Sequence, residues 1–475
     1  MSRHPLSPFL LAVVLVVEFA WGKHYENFQA LGFGIYTGGA PAVMGKDLKC
    51  MANLYCPSRF FIGGVCWDCL IFNPVCECDK NALTCDKMTG FFGDPNFSDV
   101  QCYVGNENRT QDILGRIAVM EDAVEKAYEM ASTDKRTLKI FNAPEFFWRG
   151  PRGSYSMTNM FETGGALELI IDALDNIAQQ KRFEHWLFIF GTIVASEDII
   201  LSDGTNKTAY INVAPTLRGF DPATTNEEGM KMLVPKRYLS YVDFLADDRI
   251  SAEPFVQDPY ITQSEYDNTI WNSAAKYLEE SDYFLLKDSW LIMDNIAMTI
   301  EICLDHAKGF AQNMYTRLRA SQGQQQIPSI EDGAVRQVNV PTSMSQVSLV
   351  TSAGLTIEEK SLVLTNGGSL FLIDGKNPDN PRLITCSLGL LPDGYLGYGD
   401  CQSSTTADGT MTELSQPFDS YYVYENVTKA SLALEGLFSM NVTDLPKIHV
   451  FDPIPIVPIT TSVGGVPDPG RIRKG

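Results

Sequence analysis

The chain has few basic residues for its length. Its 475 residues include 37 lysines and arginines against 58 aspartates and glutamates, which gives a formal net charge of −21 at pH 7. Nucleic acids and anionic membranes are bound through basic patches, so this balance argues against both as partners. The hydrophobic fraction of 45% is ample for a large core at this length, in one big domain or two.

Long apolar runs are also missing, and no run after the first 22 residues could span a bilayer. The N-terminal run from Phe9 to Val17 is apolar throughout but too short to cross a membrane. It follows the basic Arg3 and precedes the small residues Ala20 and Gly22. This pattern predicts a signal peptide over residues 1–22 and a secreted protein, extracellular or in the lumen of the secretory pathway.

Five Asn-X-Ser/Thr sequons agree with secretion. Each match alone is a weak signal, but behind a signal peptide they predict glycans on the surface. The asparagines are Asn96, Asn108, Asn206, Asn426 and Asn441.

Histidine is missing from the segment in which most of the cysteines lie. Eight of the 11 cysteines stand between Cys50 and Cys102, and two pairs of them are closely spaced enough to suggest a zinc knuckle. Without histidine ligands there, and in an oxidising compartment, a disulfide framework is the favoured interpretation, and its pairing stays open. The eight are Cys50, Cys56, Cys66, Cys69, Cys76, Cys78, Cys85 and Cys102.

Cys303 is the odd cysteine of the chain. Cys386 and Cys401 form a second local group, so ten cysteines can pair and Cys303 is left over. In a secreted protein a leftover cysteine is an intermolecular bridge or a reactive thiol, and the alternative is an inert buried residue. Cys303 ends the apolar run Ile296–Ile302, which predicts a buried strand.

Hydrophobic periodicity predicts alternating strands and helices, and therefore a layered α/β fold. The first predicted helix has its apolar face at Ile113, Ile117, Met120, Val124, Ala127 and Ala131, and the second follows Gly164 and Gly165 with Leu167, Ile170, Ile171, Leu174 and Ile177 on one side. The predicted strands are Phe28–Gly38, Leu138–Phe141, Trp186–Val194, Tyr210–Ala214, Gln346–Thr351, Ser361–Thr365 and Ser369–Ile373, with a turn at Asp203-Gly204.

Three residues with complementary chemistry stand at predicted strand ends: Glu145, Lys236 and Cys303. A thiolate is the attacking form of cysteine, and a carboxylate can take the thiol proton as general base. A lysine ammonium can stabilise the oxyanion that forms at the attacked carbon. Together they could carry acyl transfer through a thioester that water hydrolyses.

The motifs around these residues resemble the carbon–nitrogen hydrolases, the nitrilase superfamily. Leu138-Lys-Ile-Phe-Asn-Ala-Pro-Glu145 is similar to the family's apolar strand ending in Pro-Glu, Val234-Pro-Lys236-Arg-Tyr-Leu239 to its lysine motif, and Ile300-Glu-Ile-Cys303-Leu-Asp305 to its nucleophile motif. The resemblance covers roughly Phe28 to Ile373. It implies a four-layer αββα sandwich, in which Glu145 is the general base, Lys236 the oxyanion stabiliser and Cys303 the nucleophile.

The resemblance also implies the substrate and the assembly. A family member hydrolyses non-peptide C–N bonds of small-molecule amides or nitriles, needs no metal or organic cofactor, and can form a homodimer. The amidase branch is favoured because it is the broader one. The domain expected for such a protein covers residues 23–400, with the Cys-rich segment as an insertion over about residues 44–105. A C-terminal extension would follow at 401–450, and a Pro/Gly-rich tail at 451–475 is expected to be disordered.

Several features depart from the family pattern. His306 stands where many members carry arginine, and the stretch between Lys236 and Cys303 is longer than in compact members. Many members have a second glutamate that orients the lysine, and Asp243 and Glu253 are the candidates here. The loops set the substrate range, which the sequence leaves open.

Two other functions compete with the amide or nitrile hydrolase. A Cys-His protease could use His185 or His306, but His306 is only three positions from Cys303 and no papain-like sequence surrounds it. The second alternative is a non-catalytic secreted glycoprotein that uses the fold and the Cys-rich segment for binding. The complete set of Glu145, Lys236 and Cys303 argues against the hypothesis of a non-catalytic glycoprotein.

Overall fold

The structure is a computed structural model. It describes residues 25–35, 37, 61–62, 65–66, 109–149, 154–200, 204, 206–222, 231–238, 278, 283–320, 326–331, 334–339, 344–375, 377–390, 396–404, 406–413, 421–425, 428–432 and 447–458. The expected signal peptide, most of the Cys-rich segment, Asp243 and Glu253 lie outside these residues, as do four of the five sequon asparagines. The fifth, Asn206, begins a strand.

The described residues form five α-helices and 23 strands, together with 3₁₀ turns at Lys181–Phe183 and Glu359–Ser361. The helices are α1 (Arg109–Met130), α2 (Met157–Phe161), α3 (Ala166–Ala178), α4 (Leu304–Ala307) and α5 (Phe310–Ala320). The strands are β1 (Asn27–Gly34), β2 (Phe61–Ile62), β3 (Val65–Cys66), β4 (Thr137–Ala143), β5 (Tyr155–Ser156), β6 (Trp186–Phe190), β7 (Ile193–Ile200), β8 (Asn206–Arg218), β9 (Lys231–Pro235), β10 (Phe284–Leu285), β11 (Trp290–Met293), β12 (Ile296–Ile302), β13 (Gln326–Glu331), β14 (Ala334–Asn339), β15 (Ser345–Ser352), β16 (Leu364–Asp374), β17 (Arg382–Leu390), β18 (Leu396–Ser404), β19 (Thr406–Glu413), β20 (Tyr421–Glu425), β21 (Thr428–Leu432), β22 (Lys447–Phe451) and β23 (Ile454–Pro455).

Two large mixed sheets carry the fold. The first runs β10-β9-β8-β6-β4-β1-β22-β19, with β23 paired to β1, and with β7 paired to both β5 and β8. The second runs β14-β13-β11-β12-β15-β16-β17-β18. Parallel pairs such as β1 with β4 and β12 with β15 lie at the centres of the sheets, where each strand is buried on both faces. The described fold is therefore mixed α/β, as the sequence predicts.

Hydrophobic clusters give the order of the layers. One cluster joins β1, β4, β6 and β9 of the first sheet to β11, β12, β15 and β16 of the second, and so lies between the sheets. Another joins the opposite face of the first sheet to α1 and α3. A third covers the second sheet with α5 through Trp290, Phe310 and Tyr315. The layers follow one another as helices, sheet, sheet and helix.

The two long helices bury the faces that their periodicity predicts. Along α1, Ile113, Ile117 and Met120 are buried, and in α3 all five residues of the predicted apolar side are buried. The N-cap of α3 is Gly165, so the helix begins where the sequence places it. Apolar spacing of three and four residues thus predicted both helices, because that spacing places their side chains on one face.

Two strand regions differ from the prediction near glycines: one predicted strand is split in two, and two predicted strands are joined into one. The run Trp186–Val194 is broken at Gly191, whose φ of +76° ends β6 and starts a new strand, β7. A Cβ at Gly191 would lie 2.5 Å from the carbonyl oxygen of Pro144, so only glycine allows this approach. Farther along, β16 begins at Leu364 and joins the end of the predicted strand Ser361–Thr365 to the predicted strand Ser369–Ile373, with a register shift near Gly367. Ser361 itself ends a 3₁₀ turn.

The C-terminal boundaries also differ from the prediction. The boundary expected at residue 400 falls inside β18, and β22 pairs with β1 in the first sheet. The tail expected to be disordered from residue 451 begins with the last residue of β22 and includes β23, which pairs with Asn27 and Phe28. Apolar side chains at Phe451 and Ile454 pack between the sheets, and this burial holds the segment in place despite its prolines. Residues 459–475 lie outside the described part of the chain.

Cys386 and Cys401 form a disulfide between directly opposed residues of β17 and β18. Cys303 is buried and is not part of a disulfide. Within the Cys-rich segment the structure describes only β2 and β3, so the expected framework there stays a prediction. As for membrane spans, none of the described helices combines the length and the apolar character that crossing would need.

Candidate active site

Glu145 lies in the turn that follows β4, and its side chain is fully buried. Pro144, which precedes it, cannot donate a ladder hydrogen bond, and β4 ends at Ala143. Phe146 follows with φ of +65°, a rare conformation for a bulky residue, and its amide donates to Thr192 Oγ1 at 2.8 Å. The strand end and this fixed turn together direct the carboxylate of Glu145 into the protein.

Lys236 is the direct partner of Glu145. Its Nζ lies 2.7 Å from Glu145 Oε1, and both side chains are completely buried. The residue follows β9, and its amide donates to the carbonyl of Asn212 on β8 at 2.8 Å. The ammonium also lies 5.6 Å from the centre of the Phe146 ring, a cation–π distance. A buried charge needs a charged or polar partner, and Glu145 supplies it.

Cys303 occupies the sharp turn between β12 and α4. Its φ of +45° and ψ of −105° lie outside the ordinary regions for a residue with a side chain. The amide of Cys303 donates to the carbonyl of Thr351 at 2.9 Å, and its own carbonyl accepts the amide of His306 at 2.9 Å. Strain of this kind persists only where the surroundings hold it, and it is common at functional sites.

The end of β15 connects the Glu145 turn to the Cys303 turn. Consecutive carbonyls of this strand accept the two amides: Thr351 accepts from Cys303 at 2.9 Å and Ser352 accepts from Glu145 at 3.3 Å. The hydroxyl of Thr351 also donates to the carbonyl of Ala143 at 2.6 Å. The two residues therefore lie on either side of one strand end, although 158 positions separate them in the sequence.

Asp305 connects the Cys303 turn to the segment of Lys236. Its carboxyl group accepts the amides of Arg237, at 2.9 and 3.0 Å, and Tyr238, at 2.6 Å. Burial raises the pKa of this carboxyl group to about 8, although the two amides and the nearby Lys236 ammonium favour the charged form. The structure thus joins the side chains of Glu145 and Lys236 directly, and it connects the Cys303 turn to both segments through hydrogen bonds of the backbone and of Asp305.

His306 belongs to a separate network. Its Nδ1 is 2.9 Å from Glu301 Oε2, and its Nε2 accepts the amide of Glu358 at 3.2 Å. The second oxygen of Glu301 accepts the amide of Ala311 at 2.9 Å, so this network ties β12 to α5. Because its two ring nitrogens are engaged there, His306 is unsuited to be the base for Cys303. His185 contacts Tyr25 and Glu184 instead, and the Cys-His protease gains no support.

Asn212 and Asp305 are site residues that sequence reasoning did not assign. Asn212 Nδ2 donates to Glu145 Oε1 at 2.9 Å, from a strand that pairs with β9. A sequence signal existed, because Asn212 is a polar residue within the apolar run Tyr210–Ala214. Asp305 stood inside the quoted nucleophile motif, but nothing in the motif shows which amides it accepts.

The aromatic residues after Glu145 are part of the core. Phe146, Phe147 and Trp148 are all buried, and Phe147 and Trp148 pack against the helices of the first sheet. Arg116 of α1 donates to the carbonyl of Phe147 at 3.1 Å and pairs with Asp112 at 2.7 Å. These contacts fix the Glu145 turn from the helix side.

As for metal binding, the described residues contain no group of three or more His, Cys, Asp or Glu side chains suited to a metal ion.

The sequence matches no protein-family profile and no curated protein sequence. Among solved structures, it is similar to a carbon–nitrogen hydrolase from Helicobacter pylori G27, with 13% identity over 74% of this chain and 86% of that one, at a TM-score of 0.26. An amidase from Nesterenkonia sp. matches with 12% identity over 63% of this chain and 86% of that one, also at 0.26. A cysteine-to-alanine mutant of the Nesterenkonia AN1 amidase from the nitrilase superfamily gives the same values.

The first and third of these structures bear the names of the family that the motifs of this chain resemble. At these identities and TM-scores, the likeness supports no conclusion about the activity of this chain. The side-chain contacts of Glu145, Lys236 and Cys303 have to support any function by themselves.

Proposed function

We propose that this chain is a hydrolase of non-peptide C–N bonds, acting on small amides or nitriles through a Glu-Lys-Cys triad. The observation that carries the proposal is the buried pair of Glu145 and Lys236, 2.7 Å apart, beside a thiol whose turn shares a strand end with that of Glu145. A buried carboxylate and ammonium, with a strained cysteine held at the same strand end, have the composition that acyl transfer requires.

In the first half-reaction Glu145 takes the proton of the Cys303 thiol as Sγ attacks the carbonyl carbon of the amide. An S–C bond forms, and the carbonyl π electrons move to oxygen, where the Lys236 ammonium stabilises the charge. The oxyanion then collapses, the C–N bond breaks, and the nitrogen leaves as ammonia or an amine with the proton held by Glu145. The product on the enzyme is a thioester.

In the second half-reaction water attacks the thioester carbon. Glu145 takes a proton from the water and returns it to the departing sulfur, so the thiol is restored and a carboxylic acid leaves. The sum is amide plus one water giving acid plus amine. A nitrile would take two waters in all, since its thioimidate must first add water and release ammonia to reach the same thioester.

The location and assembly of the protein are part of the same proposal. Residues 1–22 and the five sequons support a secreted, glycosylated protein. The family resemblance of the motifs is what supports a homodimer. The long segment between Lys236 and Cys303 and the Cys-rich segment would set the substrate and any binding partner.

The test is a panel of small amides and nitriles assayed for ammonia or amine release by the full-length secreted protein. The expected result is turnover of at least one compound by wild type and none by Cys303→Ala. Equal silence of both over a broad panel would contradict the hydrolase. If iodoacetamide then also failed to label Cys303 in the folded protein, the non-catalytic glycoprotein would replace it.

A further inference from the structure

Asn212 contacts both charged members of the triad. Its backbone carbonyl accepts the amide of Lys236 at 2.8 Å, and its side-chain Nδ2 donates to Glu145 Oε1 at 2.9 Å. The residue is 2% exposed and lies on β8, between β9, which precedes Lys236, and β6, which separates β8 from the β4 strand that precedes Glu145. A side-chain substitution at Asn212 therefore removes the contact with the base and leaves the backbone contact with Lys236 in place.

The orientation of the Asn212 amide follows from the chemistry of its partner. A carboxylate oxygen of ionised Glu145 can only accept, so the NH₂ group of Asn212 must face it. The same oxygen, Oε1, also accepts Nζ of Lys236 at 2.7 Å. Two donors thus converge on one oxygen of the base.

This convergence has a consequence for proton transfer. A proton delivered to Oε1 would have to displace the amide or the ammonium, and either loss would leave a buried donor without its partner. Rotation of the carboxylate would break the same contacts. The geometry points to Asn212 as a positioning residue that locks the Glu145 carboxylate, so that Oε2 takes the proton of Cys303.

This inference rests on the proposed function, but its readout does not require a known substrate. The rate of Cys303 alkylation by iodoacetamide reports the reactive thiolate, and it can be followed against pH by peptide mass spectrometry with Cys303→Ala as the background. The same preparations are assayed with the amide and nitrile panel. The two failures can then be told apart: a silent wild type with the expected alkylation changes would remove the hydrolase and keep the role of Asn212.

Two substitutions and one control make the test. Asn212→Ala removes the donor and is expected to slow alkylation at pH 7 roughly tenfold, since loss of positioning alone can lower a rate strongly. Asn212→Asp keeps the size but puts a second carboxylate against Glu145. Added negative charge disfavours the thiolate, so the midpoint of the alkylation profile should rise by roughly one pH unit.

Asn142 supplies the control. It is also completely buried on a strand of the first sheet, and its Nδ2 donates to the carbonyl of Val350 at 3.1 Å rather than to a carboxylate. Asn142→Ala should lower thermal stability as Asn212→Ala does, yet keep the wild-type alkylation profile. Equal slowing by both alanine variants, or an unchanged midpoint in Asn212→Asp, would overturn the inference. If Asn212→Ala fails to fold, the Asn212→Asp midpoint decides.

Discussion

The carboxyl group of Asp305 accepts the backbone amide of Arg237 through both of its oxygens, at 2.9 and 3.0 Å. Asp305 stands two residues after Cys303, and Arg237 follows Lys236 directly. One carboxyl group therefore connects the segment of the proposed nucleophile to that of the lysine, across 68 positions of sequence. Because the amides belong to the backbone, this connection is independent of the side chains of Arg237 and Tyr238.

Replacing Asp305 by asparagine tests this connection through pH. Burial raises the pKa of Asp305 to about 8, so the folded protein keeps a proton that the unfolded chain loses near pH 4. In the wild type, the contribution of Asp305 to the free energy of unfolding is therefore greatest below pH 4, and it is lost as the pH rises toward 8. Asp305→Asn does not titrate, so its stability relative to wild type should improve between pH 4 and 8 and level off above. Urea unfolding at a series of pH values measures it.

Asp134 is the opposite control for this experiment. It is exposed, and the amide of Arg136 lowers the pKa of its carboxyl group. The charged form stabilises the folded protein above the unfolded pKa, and that contribution is lost as the pH falls. Asp134→Asn should therefore lose stability relative to wild type at higher pH. A flat difference for Asp305→Asn across pH 4 to 8 would show that burial does not keep Asp305 protonated.

Removing one partner of the buried pair of Glu145 and Lys236 should strongly lower the stability of the folded protein. Lys236→Met leaves a buried carboxylate without its ammonium, which costs about 3–5 kcal/mol in comparable buried pairs. The double variant Glu145→Gln/Lys236→Met removes both charges and should recover part of this loss. A double-mutant cycle in urea measures the coupling between the two side chains.

The exposed pair of Lys126 and Glu129, 3.1 Å apart on α1, is the matched control. Surface pairs of this kind contribute about 0.2–1 kcal/mol, so Lys126→Met should change little. If Lys236→Met were no more destabilising than Lys126→Met, then the loss of Lys236 would not leave an uncompensated buried charge on Glu145. The proposed role of Lys236 would then lose its physical basis.

The disulfide between Cys386 and Cys401 should stabilise the edge of the second sheet. It closes a loop with a sequence separation of 15, for which the entropy of the unfolded chain predicts about 3 kcal/mol. The double variant Cys386→Ala/Cys401→Ala should lower the free energy of unfolding by this order, measured in urea. Alkylation of Cys303 should be unaffected, since β17 and β18 lie at the far edge of the sheet. A stability equal to wild type would contradict the prediction.

Much of the fold was predictable because its signals are local. Apolar spacing predicted α1 and α3, and strand β12 has the predicted bounds, since each follows from neighbouring residues. Glu145, Lys236 and Cys303 were predicted as a catalytic set from their motifs, and each follows a strand in the structure, as the motifs predict. The contact of Glu145 with Lys236 joins residues 91 positions apart, and no single segment contains it.

The supporting contacts were not predictable, because they depend on partners far apart in the sequence. Asn212 and Glu145 are 67 positions apart, and so are Asp305 and Tyr238. The tail is a similar case: prolines predicted disorder, whereas Phe451 and Ile454 are held by apolar burial between the sheets. Local composition carries no information about that burial.

The backbone strain at Cys303 can be measured with two variants that both lack the thiol. Cys303 has φ of +45° and ψ of −105°, a conformation that glycine adopts with little penalty and other residues do not. Cys303→Gly should therefore be more stable than Cys303→Ala, by about 1–3 kcal/mol. Thermal and urea unfolding of both proteins give the difference, and neither should release ammonia from any amide.

The comparison needs a site without strain as its reference. Ala143 ends β4 with extended backbone, is fully buried, and lies in the same site region, so Ala143→Gly should lower stability. If glycine is more stable than alanine at position 303 but less stable than alanine at position 143, then the turn of Cys303, rather than loss of a side chain, determines the result. If Cys303→Gly were also less stable than Cys303→Ala, the turn would be relaxed and the protein would hold its thiol without stored strain.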